Sequence, residues 1–383
     1  MRSNSFHRVF GMAAVAYSLA IAGFTLAAPV PAVKGVAIRD EVIVRTTVMV
    51  KQFTAMPDGK TVFLLGVEAV DLIEAVNATK PKGAWIDLAT KKVIPFTNGL
   101  DSAATGITRS ADSKRLFSVG SGPDAIIRQF ELATAKTTVF ADLTANAPDN
   151  LAPEMTYLRS KGQLAVVLDE SVGLFDKSGV KCFDMTHPDF HETAISNPVV
   201  DVDEKHLVCT TFRGNLLVWD LKTKKSLPSI RIKPEAVDYN SWRISDLQFA
   251  NRSNRLLVCH YPTEKAVPEE CSITSVDLEK STAVTLKMGH TVVSNRMAIH
   301  PTDRWIAIVG CSRPVQNLGK EFPPGACVGE LRIYDLASLK LVLTQQFAEF
   351  YPGWVEFAND GKKIICASHD GEVRSWNFDA DPK

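Results

Sequence analysis

The chain repeats one arrangement of apolar and polar positions, in which an apolar stretch, a short polar turn and a second apolar stretch follow each other. Clear copies are FTAMPDGKTVFLLG (53–66), MAIHPTDRWIAIVG (297–310) and VEFANDGKKIICAS (355–368). Four more copies begin at residues 107, 155, 198 and 247. Apolar residues on both sides of a polar turn predict two antiparallel strands joined by a tight turn. The pattern therefore predicts seven strand pairs.

A second pattern follows each strand pair, as in VWDLKTKK and IYDLASLK. It begins with an apolar or aromatic anchor, which is usually followed by an acidic residue, an apolar residue and a polar turn. The seven anchors are Ile86, Phe130, Phe175, Trp219, Val276, Tyr334 and Trp376. They are separated by 44, 45, 44, 57, 58 and 42 residues. A period near 44 indicates seven units of three or four strands. One such sheet cannot bury both faces alone, so the units are expected to pack radially against each other.

At Trp219-Asp220, Gly289-His290 and SHDGEVRSWNF (368–378) the chain resembles the WD40-repeat family, and the repeats cover roughly residues 45 to 378. Only one unit has a literal Trp-Asp pair and only one has Gly-His, so the repeats are degenerate. The resemblance implies an all-β fold, a seven-bladed β-propeller with four strands per blade, in an exported member of bacterial type. Other seven-bladed propellers stay open as an alternative.

The last unit provides only three strands, and the segment RDEVIVRTTV (39–48) has the composition of a fourth. WD40 proteins close their ring by adding an N-terminal strand to the last blade. The resemblance therefore implies that residues 39–48 form this outer strand, which would remove a free sheet edge. The alternative is an unpaired linker.

Units 1, 5 and 6 have long segments between their second and third strands. In WD40 propellers these loops share the top face with the connections between blades, and that face is the usual partner-binding surface. Neutral variation of surface loops is the alternative. Aromatic residues expected in or beside the top-face loops are Tyr239, Trp242, Tyr261, Tyr351 and Trp354. Blade packing explains Trp242 and Trp354 equally well.

Seven cysteines, an odd number, leave at least one free thiol if the others pair in an oxidising compartment. Cys311 and Cys327 bracket the long segment of unit 6, and Cys259 and Cys271 bracket that of unit 5. Both pairs are predicted disulfides at a loop base, although Cys259 is also explained as a small buried residue. The remaining cysteines are Cys182, Cys209 and Cys366, of which the last two are expected to be buried thiols.

The N-terminus has the pattern of a secretory signal peptide. Arg2, His7 and Arg8 precede an uncharged run from Val9 to Ala28, and small residues follow. An uncleaved membrane anchor is the alternative, because the run is long enough to span a bilayer. The sequence therefore predicts a signal peptide (1–28), a linker (29–38) and the propeller (39–383), and an exported, soluble mature chain that is periplasmic, secreted or at the cell surface.

Charge and motifs give little further chemistry. Lys+Arg and Asp+Glu both number 43, so neither nucleic-acid binding nor attraction to anionic lipid is predicted. His187, His191 and Asp189 in CFDMTHPDFHE are a weak candidate for a metal site, and a polar surface loop is the favoured explanation. No nucleophile elbow, P-loop or HExxH motif is present, so no catalytic residue and no cofactor is predicted.

Three functions are compatible with this sequence, because the fold alone does not decide among them. The first is a monomeric, non-catalytic scaffold that binds a protein or peptide on its top face. The second is a propeller enzyme with a metal-dependent hydrolase or lactonase site in the central channel. Its candidate ligands at the ends of inner strands are Asp201, Asp203, Asp246, Glu356 and His300. The third is a structural envelope protein.

Overall fold

The computed structural model describes residues 36–380 except 69–80, 97–103, 121–124, 135, 145–153, 169–170, 190–194, 212–213, 233–241, 263–271, 281, 288–291, 313–327 and 348. The described chain consists almost entirely of strands, which form seven antiparallel sheets of four strands each. The prediction of seven small sheets is confirmed. No helix in the described ranges is long and apolar enough to cross a membrane.

Within each sheet the strands follow chain order from the innermost to the outermost, except in the last sheet. The innermost strands are β2 (Val48–Ala55), β6 (Ala104–Arg109), β10 (Met155–Leu158), β14 (Ile195–Val200), β18 (Trp242–Phe249), β22 (Val292–Ile299) and β26 (Pro352–Ala358). The second strands are β3 (Thr61–Glu68), β7 (Arg115–Gly120), β11 (Gln163–Val167), β15 (His206–Thr211), β19 (Arg255–Pro262), β23 (Trp305–Ser312) and β27 (Lys363–Ser368).

The third strands carry the anchors. They are β4 (Pro81–Asp87), β8 (Ile126–Glu131), β12 (Val172–Phe175), β16 (Asn215–Asp220), β20 (Ser272–Asp277), β24 (Val328–Asp335) and β28 (Glu372–Asp379). The outermost strands of sheets 1 to 6 are β5 (Lys92–Phe96), β9 (Lys136–Asp142), β13 (Lys181–Met185), β17 (Lys225–Arg231), β21 (Thr282–Lys287) and β25 (Leu341–Phe347). The outermost strand of sheet 7 is β1 (Ala37–Arg45), which pairs antiparallel with β28.

The pairing of β1 with β28 corresponds to the strand expected at 39–48, with shifted bounds. Arg45 lies opposite Glu372, and Thr46 then donates its backbone N–H to Gly371 O at 3.0 Å. The chain turns there, so Val48 is already the first residue of β2 in sheet 1. Whether the ring depends on this pairing is a prediction taken up in the Discussion.

The anchors define the register of every sheet. Each anchor is buried and lies directly opposite the second residue of the second strand, which is apolar, as Trp376 lies opposite Ile364 and Trp219 opposite Leu207. The acidic residue after the anchor also has a local role. Asp220, for example, accepts the backbone N–H groups of Lys222 and Thr223, and these bonds lower the pKa of its carboxyl. The acidic residue in the repeat therefore shapes the third turn of the sheet.

The sheets pack face to face around a closed ring. Each innermost strand contacts the innermost strands of both neighbouring sheets, and β26 contacts β2. Seven apolar clusters fill the seven junctions between adjacent sheets. The junction between sheets 7 and 1, for instance, buries Val44, Val48, Ile365 and Val373 together. Burial of apolar surface between the sheets is the main force that holds them together.

Candidate functional site

The ring has two unequal ends. Antiparallel order places the first-to-second and third-to-fourth turns at one end, here called the turn end, and all other connections at the opposite loop end. Connections at the turn end are short, such as residues 57–60 and 88–91. At the loop end, the segments between second and third strands of sheets 1, 5 and 6 comprise residues 69–80, 263–271 and 313–327. The three units predicted to carry long loops are therefore the units that do.

Two of the five predicted binding aromatics have described side chains. Tyr351 lies in the connection before β26 at the loop end and is 39% exposed. Trp354 is half-buried, contacts His369 edge-on with ring centroids 4.5 Å apart, and packs against the apolar cluster between sheets 7 and 1. The contact with His369 supports the blade-packing interpretation of Trp354. Tyr351, in contrast, is a surface residue.

The other three predicted aromatics have no described side chain. Trp242 lies opposite Pro262, and Tyr261 lies opposite Arg243, in the pairing of β18 with β19. Tyr239 lies outside the described residues. The assignment of these residues to a binding surface stays a prediction.

A cavity of about 250 Å³ lies between the innermost strands, on the axis of the ring. Residues in or beside every innermost strand line it. The lining includes one residue at the equivalent position of each sheet, and these seven residues are here called the channel layer. Its members are Gln52, Gly106, Glu154, Asn197, Asp246, Arg296 and Trp354. The register establishes their equivalence, because Gln52, Asp246 and Arg296 lie opposite corresponding residues of the second strands. Seven equivalent positions thus hold seven different residue types.

The channel layer was mostly missed from the sequence, although a signal for it exists. Each member lies ten positions before the second-strand apolar residue that faces the anchor, as Arg296 precedes Ile306 and Trp354 precedes Ile364. Aligning the units on those apolar residues brings all seven into one column. Only Asp246 and Trp354 were singled out beforehand.

Asp246 joins sheet 5 to sheet 6 through the layer. Its carboxylate accepts the backbone N–H of Met297 at 2.8 Å and that of Leu247 at 2.9 Å, and Arg296 Nη1 lies 3.6 Å from Oδ1. Burial raises the pKa of Asp246, and the charge of Arg296 opposes that rise. The side chain therefore satisfies a donor on the free edge of the next innermost strand.

Glu154 and Glu356 do the same at two other junctions. Glu154 accepts the backbone N–H of Asn197 on the next sheet, and burial raises the pKa of its carboxyl, with the charge of Asp246 adding and that of Arg296 opposing. Burial raises the pKa of Glu356 to about 6, against the effects of Arg109 and of a hydrogen bond with the Ala55 backbone. The channel carboxylates are thus engaged with neighbouring sheets.

The five residues proposed as ligands of a channel enzyme do not come together. Asp246 and Glu356 line the channel, but Asp201, Asp203 and His300 lie in first-to-second turns at the turn end. Asp201 accepts the backbone N–H groups of Lys205 and His206 and bonds the His206 ring at 2.8 Å. The described part of the chain contains no group of three or more His, Cys, Asp or Glu side chains that could hold a metal ion. These five candidate ligands therefore do not form one metal site among the described residues.

His187 has its two ring nitrogens in hydrogen bonds. Nε2 lies 3.0 Å from Leu227 O, and the backbone N–H of Asp189 donates to Nδ1 at 3.1 Å. The ring is buried and meets Trp219 edge-on at 5.4 Å. This arrangement favours a packing role for His187. His191 lies outside the described residues, so a metal site with Asp189 stays an untested prediction.

The cysteines are described in part. Cys259 is fully buried on β19, and Cys311 is half-buried on β23. Their predicted partners Cys271 and Cys327 lie outside the described residues, and no disulfide joins any two described cysteines. Cys209 and Cys366 are buried, as expected, and burial raises the pKa of both thiols.

Comparison with known proteins agrees with this architecture. No family model matches the chain. A curated relative, periodic tryptophan protein 2 of Saccharomyces cerevisiae, is 25% identical over 218 residues, which is 47% of this chain and 22% of the relative. The chain thus matches about a fifth of that protein's length.

Among solved structures, the β-propeller domain of Cps50 (Swd1) from Myceliophteria thermophila superposes with a TM-score of 0.61. The match covers 88% of this chain and 99% of the other at 14% identity, so it bears on the fold alone. Taken with the seven four-stranded sheets around a central channel, the curated match and this superposition lead to one conclusion: the chain is a seven-bladed β-propeller that is similar to WD40-repeat proteins.

Proposed function

We propose that this protein is an exported, non-catalytic scaffold that binds a protein or peptide at the loop end of the ring. WD40-type propellers generally serve as protein-interaction scaffolds, and the curated relative belongs to that group. The signal-peptide pattern of residues 1–28 supports export.

The observation that carries the proposal is the inequality of the two ends. Turn-end hairpins are short and fold back on themselves through hydrogen bonds, as Asp58 does with the backbone N–H of Lys60 at 2.9 Å. The loop end bears the three long connections and the exposed ring of Tyr351. Connections that vary in length on a rigid scaffold are the usual place for recognition.

The channel supports a scaffold rather than a catalyst. The carboxylates of Glu154, Asp246 and Glu356 are each bonded to the backbone of the following sheet. A carboxylate that is hydrogen-bonded to the backbone of the next sheet is poorly placed to exchange protons with a substrate.

The sheet register allows each long loop to be removed cleanly. Ser312 pairs with Val328, so replacing residues 313–327 by Asn-Gly leaves a two-residue hairpin on an existing pair. Pairing of His260 with Ser272 permits a similar replacement of residues 261–271, which also removes Tyr261 and Pro262 from the end of β19. We expect the shortened proteins still to unfold in one cooperative transition and to lose partners that the intact chain captures in crosslinking from its native compartment.

Val202→Ser is a matched control at the turn end, where the Val202 side chain is 50% exposed. The assignment of the binding end would be overturned if Val202→Ser lost the captured partners while both loop replacements and Tyr351→Ser kept them. Fractionation and N-terminal sequencing of the tagged full-length chain test export. Intact Met1 on a protein that stays inside the cell would contradict it.

A further inference from the structure

Among the described strands, the outermost strand of each sheet has one backbone edge that pairs with no other strand. Six of the seven carry a feature that discourages pairing with another chain. Pro95 and Pro228 lie within β5 and β17. Register shifts interrupt the pairing of β9, β13, β25 and β1 with their neighbours. Proline removes a donor and a bulge twists the edge, so both protect an outer strand from adding a further strand.

The strand β21 of sheet 5 has none of these protections. All six of its residues pair in unbroken register with β20, from Thr282 opposite Asp277 to Lys287 opposite Ser272. The strand TAVTLK contains no proline, and its first five residues carry no charge. A regular outer strand with five consecutive uncharged residues is a template for further β-pairing.

The exposed side chains of β21 have the composition of a pairing surface. Thr282, Ala283, Val284 and Thr285 are all exposed. Val284, at 67%, is the most exposed of the large apolar side chains in the described chain. β-branched residues favour strands, and a cross-strand partner would cover this surface.

We propose that two copies of this chain associate through antiparallel pairing of β21 with β21. Two residues that lie opposite each other in an antiparallel pair point their side chains to the same face of the sheet. Side chains of successive residues along one strand point to alternating faces. A twofold axis between identical strands therefore passes through a residue rather than between two. The axis at Val284 places the two Val284 residues opposite each other, with Thr282 opposite Leu286 and Ala283 opposite Thr285.

This register is compatible with self-association because none of the five residues from Thr282 to Leu286 is charged. No like charges are opposed within it, whereas an axis at Asp40 of β1 would place the two Asp40 carboxylates opposite each other. The second copy uses the outer side of sheet 5, so the loop end stays available for a partner. The proposal replaces the sequence-based expectation of a monomer.

Sedimentation equilibrium of the full chain from about 1 to about 100 μM tests the association. We expect a reversible dimer, and we expect Val284→Lys to raise the dissociation constant at least about tenfold because two lysines would face each other across the axis. Val139→Lys is the matched control, since Val139 is 58% exposed on the outer strand β9, whose pairing is interrupted. This control should dimerise like the unmodified chain.

A monomer at every concentration, or an equal effect of both lysine variants, would overturn the proposal. A second measurement checks the register without weakening the interface. In a Cys182→Ser background, which removes an exposed thiol, Val284→Cys should form an intermolecular disulfide on mild oxidation, because opposite residues bring their Cβ atoms close enough. A dimer in which only Val139→Cys crosslinks would place the interface elsewhere and refute the β21 pairing.

Discussion

Arg45 donates its Nε to the Glu372 carboxylate at 2.7 Å, although 327 residues separate the two in the chain. Glu372 also accepts Arg374 Nε at 2.6 Å, so its buried carboxylate serves one arginine on β1 and one on β28. The side chain of Arg45 is 73% exposed, whereas those of Glu372 and Arg374 are 6% and 15% exposed. The same Gly-Glu-x-Arg order recurs in sheet 6, where Glu330 accepts Arg332 Nε at 2.6 Å.

Loss of Glu372 should therefore cost far more than loss of Arg45. Glu372→Ala leaves the largely buried Arg374 without its closest carboxylate and should lower the free energy of unfolding by about 3 kcal/mol. Arg45→Ala removes an exposed partner that water replaces, and the change should be small. Urea unfolding measures both. Equal decreases in the free energy of unfolding for the two variants would show that the Arg45–Glu372 ion pair is the main contribution of Glu372.

Removal of β1 tests the importance of its pairing for the ring. Deletion of residues 1–45 exposes the edge of β28 and removes Val44 from the apolar cluster between sheets 7 and 1. We expect the cooperative thermal transition to collapse. Deletion of residues 1–35, which ends before β1, should leave the transition unchanged. An unchanged melting temperature after the longer deletion would contradict a role in closure.

The Glu356 carboxyl should make stability depend on pH in a defined direction. Its pKa is raised from 4.5 to about 6, chiefly by burial, so the folded protein holds this proton more tightly than the unfolded chain. Its stabilising contribution is full below about pH 4.5 and is lost as the pH rises through about 6. Relative to the unmodified protein, Glu356→Gln should gain about 2 kcal/mol between pH 4 and pH 7.5.

The comparison is made as a difference because other groups titrate in the same range. His260, for example, has its pKa lowered to about 4 by burial and acts in the opposite sense. That contribution is common to both proteins and cancels. A constant stability difference between Glu356→Gln and the unmodified chain across this range would show that Glu356 has an ordinary pKa.

Gly361 should tolerate no side chain. Its φ is +87°, and a Cβ atom there would lie 2.0 Å from His300 Nε2 in the adjacent sheet. Gly361→Ala therefore combines backbone strain with displacement of a packed ring and should cost about 2 kcal/mol or more. Gly162→Ala is the matched control, with φ +63° and a nearest atom at 3.6 Å, and should cost about 1 kcal/mol. Thermal denaturation of both variants measures the two losses of stability, and an equal loss for both would contradict the role of the His300 contact.

The two predicted disulfides are tested by peptide mapping of the exported protein. We expect Cys311–Cys327 and Cys259–Cys271 linkages, each stabilising by about 3 kcal/mol on the chain-entropy model. Cys209 and Cys366 are buried and should resist alkylation until the protein unfolds. Alkylation of all seven cysteines in the unfolded protein without a reductant would refute both bridges.

The fold was predictable from the sequence because its signals are local and repeated. Trp376 and Ile364 stand at the same spacing in the last unit as Trp219 and Leu207 in the fourth, and the register places both pairs directly opposite each other. The third turn was equally readable, since an aspartate after the anchor bonds the next backbone N–H groups. The bounds of β1 were harder to predict, because the chain turns at Thr46 whereas its composition indicates a continuous strand through this point.

The candidate site was less predictable because its contacts join distant units. Asp246 was singled out for possible catalysis, yet it bonds Met297 in the next sheet, 51 residues away. Likewise, His187 lies beside Asp189 in sequence but bonds Leu227 O, 40 residues away. Composition identifies such residues as polar and unusual. Only the radial arrangement of the sheets shows which backbone atoms they meet.

The pairing of β1 with β28 also has a consequence for the order of synthesis. Arg45 leaves the ribosome 327 residues before Glu372, and at typical elongation rates of about 5–20 residues per second that interval lasts about 16 to 65 seconds. Six sheets can assemble from consecutive hairpins during this time, but β1 has no strand to join. A nascent chain thus carries the unpaired strand β1 for most of its translation, and pairing of residues 37–45 with another chain during that time would compete with their pairing to β28.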